Sequence, residues 1–435
     1  MEPITVIGAG LAGCEAAWQI AKRGGRAILF EMKPEVYSSA HRSPFFAELV
    51  CSNSFKSESL ENASGILKEE MGQLDSLILK VAKEAKVPAG DSLAVDREIF
   101  SKQITQALEN LENVEVIRKE VSSIPQEGVT IIATGPLTSE DLGKEIQRVT
   151  GDHHLFFYDA ISPIVTAESI NFQKAFKSSR YGKGGDDYVN CPMREEEYTH
   201  FVEALNQAER MPVHPFEKRY LFEGCLPVEE MAERGRETLA YGPLKPVGLI
   251  DPKTGKQPFA VVQLRQEDRF KTLFNLVGFQ TRLKHEEQKR VFRTIPGLEK
   301  AEFVRLGSIH RNTFIDSPRL LGESLQLKTR PNLFFAGQIT GVEGYMESTA
   351  IGLLSGINAH RYANGLPTVV PPAATAMGAL VRYITQSLAV PFQPMNINFG
   401  LFPPLSGKSR GRGKRLLLSG RALKEIETWK KRSEG

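Results

Sequence analysis

The stretch Ile4-Thr5-Val6-Ile7-Gly8-Ala9-Gly10-Leu11-Ala12-Gly13 decides the fold. Ile4–Ile7 is a short, β-branched apolar run, the pattern of a buried parallel strand. Cys14 to Lys22 has helical composition and stops at Arg23-Gly24. Arg26-Ala27-Ile28-Leu29-Phe30 then reads as a second strand ending in Glu31. Each part has a physical task. Gly8 allows the tight turn, Gly10 lets backbone approach a pyrophosphate, and Gly13 lets helix pack close to strand. Ala9, Leu11 and Ala12 fill the turn between them, and the helix N-terminus offers free N–H groups to phosphate. Glu31 stands where a carboxylate accepts from ribose hydroxyls. The expected fold class is therefore α/β, a Rossmann-type dinucleotide-binding domain.

FAD, NAD(P) and S-adenosylmethionine proteins can all begin this way, and two later stretches discriminate. Asn332-Leu333-Phe334-Phe335-Ala336-Gly337-Gln338 reads as a strand ending in glycine. Ile339-Thr340-Gly341-Val342-Glu343-Gly344-Tyr345 and a small-residue helix from Ser348 to Tyr362 follow it. Two-part FAD sites use such a late unit for the ribityl-phosphate and the flavin pyrimidine edge, which places Gly337, Gln338 and Gly341 among the cofactor residues. Gln338 stands where many flavoproteins carry Asp, and its amide can still bond phosphate or ribityl oxygens. Ile131-Ile132-Ala133-Thr134-Gly135 is a third strand ending near such a cofactor. Together they favour FAD, in a glutathione-reductase-like arrangement.

A chain of 435 residues has room for two or three domains. With 41% hydrophobic and 25% charged residues it is neither collagen-like, coiled-coil nor disordered. No apolar run approaches the ~18 residues of a membrane span. Met1 to Val6 lacks a basic, then apolar, leader, so a cytoplasmic protein without a membrane partner is expected. Prolines from Pro192 to Pro258 punctuate residues 185–300. That segment reads as an α+β domain inserted between FAD-binding parts at 1–184 and 301–435. The cysteines at 14, 51, 191 and 225 form no C-x-x-C pair. Neither a metal site nor a dithiol redox centre is expected. Cys51, in Leu49-Val50-Cys51-Ser52-Asn53, and Cys225, in Glu223-Gly224-Cys225-Leu226-Pro227, sit in polar or turn-like settings. Both are candidates for thiol chemistry, although a lone cysteine is more often a small buried hydrophobe.

Several stretches carry a more specific likeness. They are Gly8–Gly13, Glu48-Leu49-Val50-Cys51-Ser52-Asn53-Ser54, Phe222-Glu223-Gly224-Cys225-Leu226-Pro227, Gly307-Ser308-Ile309-His310-Arg311-Asn312 and Phe335–Tyr345. Phe392-Gln393-Pro394-Met395-Asn396 adds to them near the end. In this order the chain resembles the folate- and FAD-dependent tRNA (uracil-5-)-methyltransferases, the bacterial TrmFO group. The resemblance implies methylation of carbon 5 of the T-loop uridine of tRNA. Methylenetetrahydrofolate would give the carbon, and FADH2, refilled by NAD(P)H, the electrons. By family position Cys225 is the nucleophile that adds to uracil, and Cys51 the second thiol. His310, Arg311 and Tyr345 become candidates for holding folate: rings to stack on the pterin, a guanidinium for a carboxylate. Related alternatives are a wobble-uridine flavoprotein of the MnmG/GidA type, which is longer, and a plain NAD(P)H flavin oxidoreductase.

The net charge of +3 hides a segregation. Residues 408–432 hold ten Lys and Arg against two Glu, so the rest of the chain is net acidic. Such an end is a footprint for the phosphate backbone, here the T-arm of tRNA. No obligate protein partner is evident.

Overall fold

The computed structural model describes residues 2–151, 155–182, 185–212, 226–405, 407 and 410–433. Two sheets organise the chain. The first has six strands in the spatial order Gln326–Leu327, Arg330–Phe335, Thr130–Ile132, Ile4–Ile7, Ala27–Glu31, Val114–Arg118. The last five run parallel, and the two-residue edge strand pairs antiparallel. The chain leaves Ile7 for one side of the sheet and returns later on the other. The crevice at that switch point lies beyond the carboxyl ends of the strands, where open α/β sheets bind ligands.

The strands are short and apolar because both faces are covered. Val6, Ile131 and Phe334 face a core shared with the first helix (Leu11–Lys22) and the late helix (Tyr345–Ala363). Their neighbours Ile7, Ile132 and Phe335 face a second cluster with Leu142 and Ile146 of the helix Glu140–Thr150. The two long helices meet backbone to backbone. A Cβ on Gly352 would lie 2.2 Å from the carbonyl oxygen of Ala12, and one on Gly356 2.6 Å from that of Ala16. Only glycine permits this approach, which brings the N-termini of both helices to one crevice.

The second sheet is antiparallel, in the order Phe176–Lys177, Tyr188–Met193, Ala260–Gln266, Leu273–Leu276, Ile164–Thr166, Phe303–Arg305. Its strands thus begin before residue 185 and end after residue 300. Val189, Cys191, Val262 and Leu264 pack one face against Phe201, Leu205 and Phe292 of flanking helices. Alternation along the central strand leaves Gln263 and Arg265 on the other face. A two-stranded ribbon, Leu155–Ile161 with Ser308–Phe314, runs between the two sheets in the chain.

Residues 411–433 form a helix, Gly411–Ser433. Leu418, Ala422, Ile426 and Trp429 are its buried seam, at helical spacing, and they join the main core. Among the described residues no helix is long and apolar enough to cross a membrane.

Candidate functional site

The crevice of the first sheet is a cleft of about 1070 Å³, its mouth included, lined by Gly8, Ala9, Gly10, Leu11 and Ala12. Gly8 turns with φ +101°, and its N–H donates to Phe30 O at 2.9 Å. Gly13 lies behind the turn: a Cβ there would stand 1.8 Å from Gly8 O. Gly10 precedes the helix with no side-chain cap, and a Cβ on it would meet nothing within 4 Å. The first turn therefore keeps donors and open room for an anion.

Glu31 ends the second strand on the cleft wall. Its carboxylate accepts from Ala9 N–H at 3.2 Å and Lys33 N–H at 3.0 Å. The glycine turn and the acidic strand end are thus fixed to each other. Gly337 and Gln338 line the opposite wall, and Gln338 Nε2 donates to Glu343 at 2.6 Å. Gly341 lies off the cleft, where a Cβ would strike the Phe392 ring at 2.3 Å.

Tyr345 lines the cleft as the first residue of the late helix. Its hydroxyl accepts from Cys51 N–H at 2.9 Å and Ser52 N–H at 3.2 Å. Its ring tilts onto Phe55 at 5.6 Å. Burial and the nearby Cys51 push its phenol well above the ordinary range. Cys51 itself is half-buried, with its Sγ 3.9 Å from Ala160 O.

Three arginines from distant segments grip the same loop. Arg97 donates to Leu49 O and, at 3.1 Å, to Cys51 O, while its Nε pairs with Glu267 at 2.6 Å. Arg265 reaches Ser52 Oγ at 2.7 Å and Asn53 Oδ1 at 2.8 Å. Arg305 donates to Val50 O. Burial lowers the pKa of both Arg265 and Arg305, so their guanidiniums are largely stripped of water. Sequence reading singled out none of the three, because nothing local marks them.

His310, on the strand Ser308–Phe314, is half-buried between Ser308 Oγ at 2.8 Å and Ser39 Oγ at 3.2 Å. Burial, then Arg305 and Arg42, hold its pKa below the ordinary value. His41 on the cleft wall is lowered further, to about 4, chiefly by burial and Lys33. Arg311 lies on the same strand as His310, and its side chain is outside the described residues, as is all of Cys225. Cys14 and Cys191 are buried, and burial pushes the Cys191 thiol up to about 12. Neither is poised to react.

Fold and cleft together define a two-part dinucleotide-binding protein with a thiol loop at its cleft. The family model described as Glucose inhibited division protein A matches residues 3–367. Among solved structures, GidA of Aquifex aeolicus superposes with a TM-score of 0.74 at 17% identity, covering 99% of this chain and 74% of that one. That likeness shows the Rossmann-type fold. Curated relatives are much closer. A protein of Geobacter sulfurreducens is 60% identical over 427 residues, 98% of each chain, and one of Desulfitobacterium hafniense is 58% identical over 431 residues, 99% of each. Both are named methylenetetrahydrofolate--tRNA-(uracil-5-)-methyltransferase TrmFO. The chain belongs to this TrmFO family.

Proposed function

We propose that the chain methylates carbon 5 of the T-loop uridine of tRNA. Methylenetetrahydrofolate is the carbon donor and FAD, re-reduced by NAD(P)H, the redox cofactor. The observation that carries this reading is the tether between thiol and cleft: the tyrosine that lines the nucleotide cleft holds the backbone of Cys51. The open room at Gly10, the uncapped helix and the fixed Glu31 carboxylate fit a dinucleotide. Gly8, Ala9, Gly10, Leu11 and Ala12 would hold its pyrophosphate, with Gly13 closing the turn behind them. Glu31 would hold its ribose, and Gly337 and Gln338 the ribityl side. Bound FAD, once reduced by NAD(P)H, would supply the two electrons that take a formaldehyde-level carbon to a methyl group.

The chain's own residues do the rest. Carbon 5 of uracil is a poor nucleophile until a thiolate adds at carbon 6 and makes it enolate-like. Cys225 is assigned that addition. Cys51 is assigned the second thiol role, guarding the reaction centre or taking the carbon-5 proton. A thiolate at Cys51 would sit among Arg97, Arg265 and Arg305, a setting that favours negative charge. His310 and Arg311 would bind folate, His310 as a neutral ring that can stack without a charge to desolvate. The second sheet and its helices form the inserted unit. The basic face of the C-terminal helix supplies phosphate contacts to the T-arm. The target base must leave its stack to reach a thiol.

The assignment of roles is tested by steady-state methylation with Cys225→Ala and Cys51→Ala. Both should lose turnover while folded, flavin-bearing protein is recovered. A Cys225→Ala enzyme that methylates at the wild-type rate would remove the nucleophile assignment.

A further inference from the structure

The polar face of the second sheet carries a row of guanidiniums that ends at Cys51. Arg265 grips Ser52, the residue after the thiol. Two positions back on the same strand, Gln263 Oε1 accepts from Arg180 Nε at 2.8 Å. Arg180 also donates to Val247 O at 2.7 Å, and among the described residues no carboxylate pairs with it. Glu267, on Arg97, is the one carboxylate ion-paired along the row of Arg180, Arg265, Arg305 and Arg97 among the described residues.

At the outer end of the row stands Tyr181. Its backbone is left-handed, φ 57° and ψ 23°, an uphill conformation for a residue with a Cβ. Its N–H donates to Gly248 O at 2.9 Å. The ring lies against Gly248, where a Cβ would stand 3.0 Å from Cδ1, Cε1 and Cζ. Gly248 thus makes room for one side of the ring, while Tyr181 remains 68% exposed. A large aromatic is held at the surface, one face backed by the chain and the other open, beside an arginine with no carboxylate partner among the described residues.

We propose that Arg180 and Tyr181 form a docking point for an unpaired stretch of the RNA substrate next to the target uridine. A base stacks on the open face of Tyr181, and a neighbouring phosphate pairs with Arg180. An aromatic face accepts any unpaired base, and a desolvated guanidinium row complements a strand with one negative charge per nucleotide. A duplex has no free base face to offer, so the partner is a single-stranded loop. This inference rests on the tRNA reading above and adds where the loop is held.

The test uses full-length, flavin-bearing enzyme and a tRNA transcript. Tyr181→Gly removes the ring and adopts the left-handed backbone without strain, so it spares the fold. Its Kd and KM for tRNA should rise ~5- to 100-fold, as loss of one base–aromatic stack demands. Its kcat at saturating tRNA and its KM for methylenetetrahydrofolate should hold. Tyr181→Phe, which keeps the ring, should bind like wild type. Arg180→Gln should flatten the slope of log Kd against log salt by about 0.7 to 0.9. Unchanged tRNA affinity in Tyr181→Gly overturns the proposal. So does a rise in the folate KM instead, which would make the ring a pterin site. Should the wild-type enzyme bind tRNA yet methylate no uridine, the activity reading fails, and the binding comparison still decides the docking point.

Discussion

Replacing Tyr345 by Phe probes the tie between cleft and thiol loop. The substitution keeps the ring and its contact with Phe55 and removes one oxygen. That oxygen accepts two backbone hydrogen bonds, from Cys51 and Ser52. At about 0.5–1.5 kcal/mol net per bond, their loss weakens the anchor by ~1–3 kcal/mol. If nothing else held the loop, its anchored-to-free ratio would fall ~5- to 150-fold. Arg97, Arg265 and Arg305 still grip Cys51, Ser52 and Val50, so the lower end applies, roughly fivefold. Two assays read this. In a Cys225→Ala background, where Cys14 and Cys191 stay buried, the alkylation rate of Cys51 should rise. In the otherwise wild-type enzyme, kcat for 5-methyluridine should fall measurably, by up to that factor. Equal alkylation and equal kcat in Tyr345→Phe would show that the hydroxyl anchors nothing of consequence.

Three further outcomes follow from the same geometry. Arg97→Met strands the Glu267 carboxylate in a buried site, and urea denaturation should show a loss of about 3–5 kcal/mol; adding Glu267→Met should restore much of it. Gly356→Leu cannot be placed against the carbonyl of Ala16, so the two long helices must part; the protein should be purified without flavin absorbance, if soluble at all. Glu70 caps the helix Ala376–Gln386 through Ala376 N–H and Met377 N–H, and burial pushes its carboxyl up to about 8. A folded pKa above the unfolded one means stability present below about 4.5 and lost as pH rises toward 8. Glu70→Gln removes that dependence, and its melting temperature relative to wild type should climb across the same window.

The parts of the fold that sequence shows are those written locally. Ile4 to Gly13 and Glu31 belong to one strand–turn–helix–strand unit whose turn and acidic strand end are fixed to each other within 30 residues. Gly337 and Gln338 repeat such a unit. The helix Arg97–Glu109 is likewise fixed locally at its start, where Asp96 accepts from Glu98 N–H and Ile99 N–H as an N-cap. What escaped reading is non-local. Tyr345 meets Cys51 across 294 positions, and its hydroxyl, more than its ring, makes the visible contact. Arg97, Arg265 and Arg305 converge from three elements. The second sheet begins with strands of two and three residues, Phe176–Lys177 and Ile164–Thr166, too short to show a period. The basic end read as charge alone hides the apolar seam at Leu418, Ala422, Ile426 and Trp429 that seats it on the core. Gly341, placed among the cofactor residues by position, also makes room for Phe392, a neighbour 51 positions on that no local pattern shows.

The central claim is that this cleft and its thiols move a folate carbon onto uracil. The direct measurement supplies the purified enzyme with FAD, NADPH, unmodified tRNA and methylenetetrahydrofolate labelled in its methylene carbon, and digests the tRNA to nucleosides. Label in 5-methyluridine from the T-loop is the expected result. Label that enters 5-methyluridine only from S-adenosylmethionine, or no 5-methyluridine at all, would contradict the account.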